Sequence, residues 1–599
     1  MTVGMESIPK WRSMKRRSIM RKTKIICTLG PATDDPAVLE AMIKNGMNVA
    51  RFNFSHGTHE EHKRRLDQLK ELRKKLNIPV AALLDTKGPE IRLKTFVNGK
   101  EFLETGQRFT LTVRDVPGTK EICTVSYRNL PQDVEVGGRI MLDDGLISMK
   151  VLERNDTDIV CRVENGGLIK DKKGVNVPGV HLSMAYMSAQ DRADILFGIE
   201  QGFDFIAASF CRSARDVLEI RELLDEHQAE MRIIAKLENQ EGVNSLDEIL
   251  AVADGVMIAR GDMGVEIDFT EIPVIQKNII NRALAYGKHV ITATQMLDSM
   301  ITNPRPTRAE ITDVANAVYD GTAAIMLSGE TAAGKYPLES LKTMAAIASR
   351  TEADINYFGR MRNITPDIHL GIGGATAHAA CTTATDTNAS AIITVTKSGA
   401  TPRLISRFRP DTPIIACVMD EPIQRQLSLT WGVTPIIMDY VSSTDEMIEG
   451  SVDAAKQAGL IHDGEIAVVT AGVPAGIAGT TNMIKVHLVG NSLVSGAGVC
   501  EKNVKGTICV CRSLEDMKTK FRPGMILVVP RTTNAMLPYL RQAEGIISEE
   551  NGLGSHAAVV GLSLDKATIV GAIGATRTLH DGMKVSMDCR QGSVQSLAE

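Results

Sequence analysis

One stretch of the sequence places a lysine and a carboxylate together at the end of a predicted strand. Ile233–Lys236 is a short, mostly apolar run, which predicts a strand buried on both faces. Lys236 and Glu238 stand where that strand ends, and an ammonium and a carboxylate so placed suit an anionic substrate and its metal ion. Taken alone, the pair is better explained as an ordinary ion pair at a strand end.

The same pattern of a short apolar run and a helical segment repeats along the chain. The runs that predict strands are Lys24–Thr28, Val49–Asn53, Val80–Asp85, Phe205–Ser209, Ile233–Lys236, Gly255–Arg260, His289–Thr294 and Ala323–Ser328. The segments that predict helices are Pro36–Met47, Glu60–Leu76, Ala189–Gln201, Ser213–Gln228, Ser245–Ala253, Glu271–Tyr286 and Arg308–Val318. This alternation indicates parallel strands joined by crossover helices, and its repetition favours a closed (β/α)8 TIM barrel over an open sheet.

Polar side chains stand at the ends of nearly all these predicted strands. They are Arg51, Asn53, Ser55, Asp85, Thr86, Lys87, Ser209, Lys236, Glu238, Arg260, Asp262, Thr294, Gln295, Ser328 and Glu330. Barrels of this kind place their chemistry where the strands end. Because so many polar groups at one rim are costly to desolvate without a ligand, the pattern predicts a catalytic site.

Two carboxylates from neighbouring predicted strands, Glu238 and Asp262, could ligate Mg²⁺, a hard ion that often bridges substrate phosphates. The alternative is the acid and base pair of a glycosidase, but that chemistry needs no surrounding cations. Arg51, Lys236 and Arg260 supply such cations, which favours phosphate or carboxylate chemistry. Lys236 would then face the charge that develops on a transferring phosphoryl group.

A second group of side chains is rich in oxygen atoms and carries one formal negative charge. Its members are Asn53, Ser55, Asp85 and Thr86. Such a group suits a monovalent cation better than a second divalent one. The alternative is a hydrogen-bond network that braces two strand ends.

The alternation breaks between about residues 88 and 187, where β-branched residues and turn signals replace the helical segments. We expect a β-rich domain inserted after the third barrel strand, placed to act as a lid that excludes water. Its turn at Lys172–Asn176 could meet a phosphate, although a solvated hairpin tip is equally consistent with the sequence.

A second α/β region is predicted for residues 363–489, after the barrel segments 20–87 and 188–362. Its strand Ala391–Thr396 leads into a loop of hydroxyl side chains and a glycine at the start of a helix, which suits an anion. The loop residues concerned are Thr396, Ser398, Gly399 and Thr401. An ordinary helix cap is the competing interpretation.

The end of the chain is predicted to form a further α/β unit at residues 499–599, after a small-residue linker at 490–498. Strands are expected near Ile508 and at Met525–Val529. His556 follows a glycine-rich turn at a predicted helix start. It could be a phosphoryl carrier or a polar cap, and spacing alone leaves both open.

Composition excludes several classes of protein. With 68 Lys and Arg against 72 Asp and Glu, the formal charge of −4 predicts no general affinity for nucleic acid or anionic membranes. The 10 cysteines include no Cys-x-x-Cys pair and fit reduced thiols in a cytoplasm. No apolar run has the length of a membrane span. Residues 1–19 are basic and lack the apolar core of a secretory signal, so we expect a flexible extension.

Several segments of the sequence resemble the signature segments of the pyruvate kinase family. They are Lys24–Ala32, Ala50–Gly57, Leu84–Arg92, Ile234–Gly242, Met257–Glu266, Ala293–Met300 and Met326–Ala332. The resemblance covers roughly residues 20–490. It implies transfer of phosphate from phosphoenolpyruvate to ADP in glycolysis, giving pyruvate and ATP, with Mg²⁺ and K⁺ as cofactors. It also implies a homotetramer with an allosteric domain that binds a sugar phosphate or nucleoside monophosphate.

The resemblance assigns roles to particular residues. Lys236 stabilises the transferring phosphoryl group and the enolate, Arg51 meets the phosphate, and Thr294 lies beside the carbon that is protonated. The resemblance implies that Glu238 and Asp262 bind Mg²⁺ and that Gly261 contacts the substrate. It implies a K⁺ site at Asn53, Ser55, Asp85 and Thr86, with Glu90 linked to K⁺ dependence, and a nucleotide site at Asn53, His56, Arg92 and Lys173. It also implies a proton relay at Ser328 and Glu330 and an effector site at Thr396, Ser398, Gly399 and Thr401.

Residues 493–599 resemble the swivelling phosphohistidine domain of phosphoenolpyruvate-utilising enzymes. The usual pattern Gly-Gly-x-Thr-Ser-His is replaced by Gly552–His556, which lacks the threonine, and Gly561 stands where an arginine is usual. These departures favour a structural or regulatory tail. Two competing hypotheses are a metabolite sensor with weak catalysis and a phosphotransferase that works through His556.

Overall fold

The computed structural model describes residues 21–363, 371–440, 443–472, 481–490 and 492–597. The predicted basic extension at residues 1–19 lies outside these ranges. The chain divides into two compact units. The first unit comprises Met1–Leu370, Ser406–Arg409 and Asp420–Pro435, and the second comprises Gly371–Ile405, Pro410–Met419 and Ile436–Glu599.

The first unit contains a closed barrel of parallel strands, as predicted. In chain order its strands are Lys24–Thr28, Val49–Asn53, Ala81–Asp85, Phe205–Ala208, Arg232–Leu237, Gly255–Ala259, His289–Ala293 and Ala324–Leu327. Each strand pairs with the next along the chain, and the last pairs with the first. The barrel therefore has the (β/α)8 order that the sequence indicates.

Helices surround the barrel in the same alternating order. They are Pro36–Lys44, His59–Leu76, Ala189–Gln201, Ala214–Glu226, Gln240–Asn244, Leu246–Val252, Arg260–Glu266, Ile272–Tyr286, Arg308–Asp320, Gly329–Ala332, Pro337–Glu352 and Tyr357–Asn363. Several begin at a capping box, such as Thr58 with Glu61 and Ser188 with Asp191. These caps fix where each helix starts and so where the preceding loop ends.

Alternate residues of each barrel strand face the interior. Val49, Leu83, Ala207 and Ile234 belong to one buried cluster inside the barrel, whereas their strand neighbours pack against the surrounding helices. The apolar residues fill the lower part of the barrel. The next inward-facing positions along the strands are polar, so the interior changes from apolar to charged at the rim.

The β-rich insertion has its own core, and its main sheet contains six strands. Their order in the sheet is Val175–Asn176, Arg139–Leu142, Ile147–Arg154, Asp158–Asn165, Arg108–Thr112 and Ile122–Thr124. A separate pair is formed by Lys100–Leu103 and Gly167–Lys170, and a short helix spans Leu130–Asp133. This insertion lies between the third barrel strand and the helix that begins at Ala189.

The chain after the barrel contributes two further sheets. The first has the order Val433–Ile437, Ile414–Val418, Ala391–Val395, Ile466–Gly472 and Thr481–Leu488. Ala391–Val395 is parallel to both of its neighbours, whereas Thr481–Leu488 is antiparallel to Ile466–Gly472. The helices in this part of the chain are Gly371–Asp386, Ala400–Arg407, Glu421–Leu427 and Thr444–Gln457. The predicted strand before the anion loop is therefore confirmed.

The final sheet has eight strands. Their order is Ser492–Ser495, Ser593–Ser596, Lys584–Asp588, Asn503–Val510, Ile526–Val529, Gly545–Ser548, Ala567–Val570 and Ala497–Gly498. The helices are Leu514–Lys520, Leu537–Leu540, His556–Ser563 and Ala575–Thr578. Residues 492–498, whose small side chains predict a linker, form two short strands of this sheet instead. Small residues suit these positions because a Cβ on Gly498 would lie 1.5 Å from the Cys589 carbonyl oxygen.

All 10 cysteines are free thiols, and nine of them are buried. Cys509 and Cys511 lie side by side in the core of the last sheet, with their sulfur atoms 3.5 Å apart. Both side chains belong to an apolar core cluster of this sheet. Within the residues that the structure describes, no helix has both the length and the apolar character needed to cross a membrane.

Candidate active site

The fifth barrel strand places Lys236 and Glu238 at the rim. Because side chains alternate along a strand, Lys236 and Glu238 share the inward face with Ile234, which is buried inside the barrel. The same alternation brings Asp85 and Ser209 to the rim from the third and fourth strands. Since these three strands are neighbours in the barrel, their polar ends meet.

The Lys236 ammonium contacts an oxygen atom from each of three residues. Its Nζ lies 3.1 Å from Asp85 Oδ1, 2.9 Å from Glu238 Oε1 and 2.7 Å from Ser209 Oγ. Burial alone would lower the pKa of Lys236, but the carboxylates of Asp85 and Glu238 outweigh burial and raise it. Lys236 is therefore a fixed positive charge at the barrel rim.

Arg51 provides a second buried cation at the same rim. Its Nε donates to Asp85 Oδ2 over 2.6 Å, and its Nη1 donates to Thr28 Oγ1 over 3.0 Å. Burial would raise the pKa of Asp85, but Arg51 and Lys236 together hold it below its usual value. Asp85 is thus an ionised carboxylate that orients both cations.

Glu238 is fully buried and has one oxygen atom without a well-formed hydrogen bond. Its Oε2 accepts a 2.6 Å hydrogen bond from the backbone N–H of Phe210. Its Oε1 is close to Lys236 but lacks hydrogen-bond geometry. Burial raises the pKa of Glu238 to about 7, with the nearby Asp262 adding to the shift. Glu238 thus offers an oxygen atom without a hydrogen bond close to the Asp262 carboxylate, and such a pair suits a divalent cation.

Over the described part of the chain, no group of three or more His, Cys, Asp and Glu side chains is arranged to hold a metal ion. Glu238 and Asp262 alone could supply only part of a metal ion's ligands. This fits Mg²⁺, which typically keeps several water molecules and takes further oxygen ligands from substrate phosphates.

Two adjoining cavities in the first unit bring most of the predicted site residues together. The smaller has a volume of about 180 Å³ and is lined by Arg51, Asn53, Ser55, His56, Lys87, Glu90, Arg92, Ser209, Phe210, Lys236, Glu238 and Asp262. The larger, of about 600 Å³, lies between barrel and insertion and includes His56, Arg92, Lys173 and Asp262. The larger volume is in the range of small-molecule sites, and the smaller suits a compact anion with a metal ion.

Thr294 is held beside Gly261 by two hydrogen bonds. Its Oγ1 accepts from the Gly261 N–H over 2.8 Å and donates to the Ala293 carbonyl over 2.6 Å. The φ angle of Thr294 is +68°, which is unusual for a β-branched residue, and that of the following Gln295 is +54°. Backbone strain of this kind is typical of functional sites, and here it aims the Thr294 hydroxyl at the Asp262 segment.

The residues proposed for a monovalent cation are divided in the structure. Asn53 and Ser55 line the smaller cavity, whereas Asp85 and Thr86 are buried and do not. Both carboxylate oxygens of Asp85 already contact cationic side chains. Glu90 lines the cavity and pairs with Arg92 at 2.7 Å.

Ser328 and Glu330 do not line either cavity. Glu330 accepts hydrogen bonds from the backbone N–H groups of Leu297 and Ser328, over 3.0 and 2.7 Å. These contacts show Glu330 bracing two loops at the rim. The Ser328 Oγ is buried without a hydrogen-bond partner.

Ser209 was predicted only as one of the polar strand ends, and Phe210 was not predicted to belong to the site, yet both hold the central pair. Ser209 Oγ accepts from Lys236 and donates to the Thr86 carbonyl over 2.6 Å. The Phe210 contact comes from the backbone and has no side-chain signal. Strand alternation could have placed Ser209 beside Lys236, since Ser209 lies two residues after the inward-facing Ala207.

The predicted anion loop in the second unit forms a compact turn at a helix start. Thr396 Oγ1 accepts from the Gly399 N–H over 3.0 Å, and Arg403 donates to the Ser398 carbonyl over 2.8 Å. Thr401 and Thr481 share a 2.6 Å hydroxyl contact. The buried hydroxyls of Thr396 and Thr401 are thus engaged within the chain.

His556 is the first residue of the helix His556–Ser563, as predicted, and both of its ring nitrogens make hydrogen bonds. Nδ1 lies 2.7 Å from Thr532 Oγ1, and Nε2 lies 2.9 Å from Asn534 Oδ1. A nitrogen that donates to an amide oxygen carries its proton and is not a free nucleophile. The arrangement agrees with a structural role for this histidine.

Three parts of the chain match known protein families. Residues 20–341 match the family described as pyruvate kinase, barrel domain, and residues 374–487 match pyruvate kinase, alpha/beta domain. Residues 521–592 match PEP-utilising enzyme, mobile domain.

Individual relatives match over most of their length. The chain is 50% identical over 577 residues to a pyruvate kinase of Geobacillus stearothermophilus, covering 96% of this chain and 98% of that protein. It is 48% identical over 582 residues to a pyruvate kinase of Bacillus licheniformis, with 96% and 99% covered. A crystal structure of a pyruvate kinase from Cryptosporidium parvum superposes with a TM-score of 0.75 at 39% identity, covering 78% of this chain and 96% of that one.

Proposed function

Because the chain belongs to the pyruvate kinase family, we propose that its phosphotransferase chemistry is performed at the barrel rim around Lys236. The substrates are phosphoenolpyruvate and ADP, and the products are pyruvate and ATP. The observation that carries the proposal is the contact of one buried ammonium with Asp85, Glu238 and Ser209 beside a cavity that Asp262 also lines.

Lys236 and Arg51 bind the negative charge of the substrate. The Lys236 ammonium donates to an oxygen of the transferring phosphoryl group and stabilises the enolate left behind. Arg51 binds the phosphate while Asp85 keeps its guanidinium oriented. Buried Asp85 holds both Arg51 and Lys236 in place, so these cations need little reorganisation as negative charge shifts during phosphoryl transfer.

Glu238 and Asp262 are the proposed Mg²⁺ ligands. A bound Mg²⁺ supplies Lewis-acid neutralisation of the phosphate oxygens. Glu238 Oε1, which lies 2.9 Å from the Lys236 ammonium, would be the oxygen atom offered to the metal. The Lys236 ammonium stays beside this carboxylate as the cation for the phosphoryl group.

The remaining assignments complete this proposal. Thr294 and Gly261 border the substrate carbon, and protonation occurs beside Thr294. The nucleotide contacts are Asn53, His56, Arg92 and Lys173, and Asn53, Ser55, Asp85 and Thr86 would hold K⁺. Residues 88–187 act as a lid that excludes water.

We also propose regulation and assembly typical of the family. The loop Thr396–Thr401 binds a sugar-phosphate or nucleoside-monophosphate effector through its backbone N–H groups at a helix start. The enzyme acts as a homotetramer in the cytoplasm. Residues 499–599 form a structural or regulatory tail.

The function is tested by measuring pyruvate formation from phosphoenolpyruvate and ADP with the purified full chain. Turnover should require ADP and Mg²⁺ and should increase with K⁺. Replacing KCl by tetramethylammonium chloride at equal ionic strength separates a specific K⁺ effect from general salt. Absence of turnover with all components present would refute the proposal.

A further inference from the structure

The segment Ser209–Arg212, between the fourth barrel strand and the next helix, contacts both residues at the centre of the site. Its first residue accepts from the Lys236 ammonium through Ser209 Oγ, over 2.7 Å. Its second residue donates from the Phe210 backbone N–H to Glu238 Oε2, over 2.6 Å. The position of this segment therefore sets the positions of the ammonium and the carboxylate.

The same segment is tied to the chain that returns from the insertion to the barrel. Tyr186, which is buried, donates from its hydroxyl to the Ser209 carbonyl over 3.1 Å and lies 3.2 Å from the Cys211 sulfur. Arg212 Nη1 lies 3.1 Å from each of the carbonyls of Leu182 and Met184. Four hydrogen bonds, one of them between the Tyr186 hydroxyl and the Cys211 sulfur, thus join the segment to Leu182–Tyr186.

The outgoing connection of the insertion also touches this segment. A Cβ added to Gly88 would lie 2.9 Å from both the Cβ and the carbonyl oxygen of Ser209. The Gly88 N–H donates to Asp191 Oδ1 over 3.0 Å, which fixes the glycine in this place. Both connections to the insertion therefore meet Ser209–Arg212.

The segment has little freedom to move apart from its neighbours. Phe210 adopts a left-handed φ of +55°, and a Cβ on Gly242 would lie 2.4 Å from the Cys211 carbonyl oxygen. The helix that follows Glu238 is thus packed directly against the segment. Because tightly packed elements transmit displacements, a shift of either connection reaches Lys236 and Glu238.

We propose that Tyr186 and Arg212 are positioning residues that couple the insertion's connections to Lys236 and Glu238. The proposal deepens the function proposed above and rests on it for the roles of those two residues. When the insertion moves against the barrel, Tyr186 and Arg212 carry its displacement to Ser209 and Phe210. The central pair is then aligned as the cleft closes.

Tyr186→Phe removes only the hydroxyl and is the primary test. We expect kcat to fall about five- to tenfold, since the hydrogen bonds to the Ser209 carbonyl and the Cys211 sulfur are lost, with KM for phosphoenolpyruvate within about twofold. Mn²⁺ titrated into the full chain and followed by electron paramagnetic resonance should bind several-fold more weakly. Amide hydrogens of residues 209–212 should exchange faster than in the wild type.

Tyr319→Phe is the control. Tyr319 lies in the helix Arg308–Asp320, and its hydroxyl donates to Asp354 over 2.9 Å, a hydrogen bond that involves neither Ser209–Arg212 nor Leu182–Tyr186. The same atom is lost outside the proposed coupling, so kcat, Mn²⁺ affinity and exchange at 209–212 should stay at wild-type values. Equal values for the two variants in all three measurements would overturn the coupling.

Arg212→Met tests the same coupling through a different side chain. It removes both hydrogen bonds to the return connection, and we expect a larger fall in kcat than in Tyr186→Phe, with partial recovery in Arg212→Lys. An unchanged kcat and Mn²⁺ affinity in a folded Arg212→Met protein would also overturn the proposal. An inactive wild type would refute the proposed function, while Mn²⁺ binding and amide exchange would still decide the coupling.

Discussion

Replacing Lys236 by Met tests the assigned role of the ammonium in the transition state. Lys236 is buried and contacts three oxygen atoms at 2.7–3.1 Å, so a phosphoryl oxygen that replaces one of them comes equally close. Two unit charges about 4 Å apart interact by about 4 kcal/mol at an effective dielectric constant of about 20. Since tenfold in rate corresponds to about 1.4 kcal/mol, Lys236→Met should lower kcat roughly a thousandfold.

The assay follows pyruvate formation at saturating phosphoenolpyruvate and ADP. Far-ultraviolet circular dichroism should show an intact fold, because Asp85 keeps Arg51 as a partner and Glu238 can be protonated. Lys277→Met is a suitable control, because Lys277 is an exposed helix residue paired with Asp320 and should leave kcat unchanged. A kcat for Lys236→Met within tenfold of the wild type would refute the reasoning.

Three further predictions concern the cation site, a buried lysine and the tail. Glu90→Lys should relax the need for K⁺ by supplying a positive charge, with Glu90→Gln as the control. Activity of Glu90→Lys that still depends fully on KCl would contradict the K⁺ assignment. Burial lowers the pKa of Lys24 to about 7 in the folded protein. Between about pH 7 and 10 the Lys24 amine therefore carries a proton in the unfolded chain but not in the folded protein. The thermal unfolding midpoint should therefore rise with pH over that range more in the wild type than in Lys24→Met. The same dependence of the midpoint on pH in both proteins would contradict the lowered pKa of Lys24. Phosphoenolpyruvate should leave no acid-labile phosphate on His556, since Thr532 and Asn534 engage both ring nitrogens, whereas phosphate that vanishes in His556→Ala would show a carrier.

The barrel could be predicted closely because its strands are short apolar runs that are buried on both faces. The strand Val49–Asn53 has the predicted bounds, and Ile233–Lys236 is extended by one residue at each end. The linker prediction at 490–498 failed for a physical reason. Small side chains there reflect close backbone packing within a sheet, as at Gly498, and composition cannot distinguish this from flexibility.

The members of the candidate site were predicted better than their contacts. Strand alternation places Lys236, Glu238 and Asp85 at one rim, but which oxygen meets which nitrogen depends on the stagger of the strands. The Phe210 contact comes from a backbone N–H, which leaves no mark in the sequence. Glu330 has the residue type of a relay, yet its hydrogen bonds to backbone groups show it bracing two loops.

The most direct test of the central claim follows both substrates at once in wild type and Glu238→Gln by phosphorus magnetic resonance. The wild type should convert phosphoenolpyruvate and ADP into pyruvate and ATP in equal amounts. Glu238→Gln keeps the shape of the side chain but removes the charge that holds Mg²⁺, so it should show almost no transfer at the same metal concentration. Wild-type rates of ATP formation in Glu238→Gln would contradict the account.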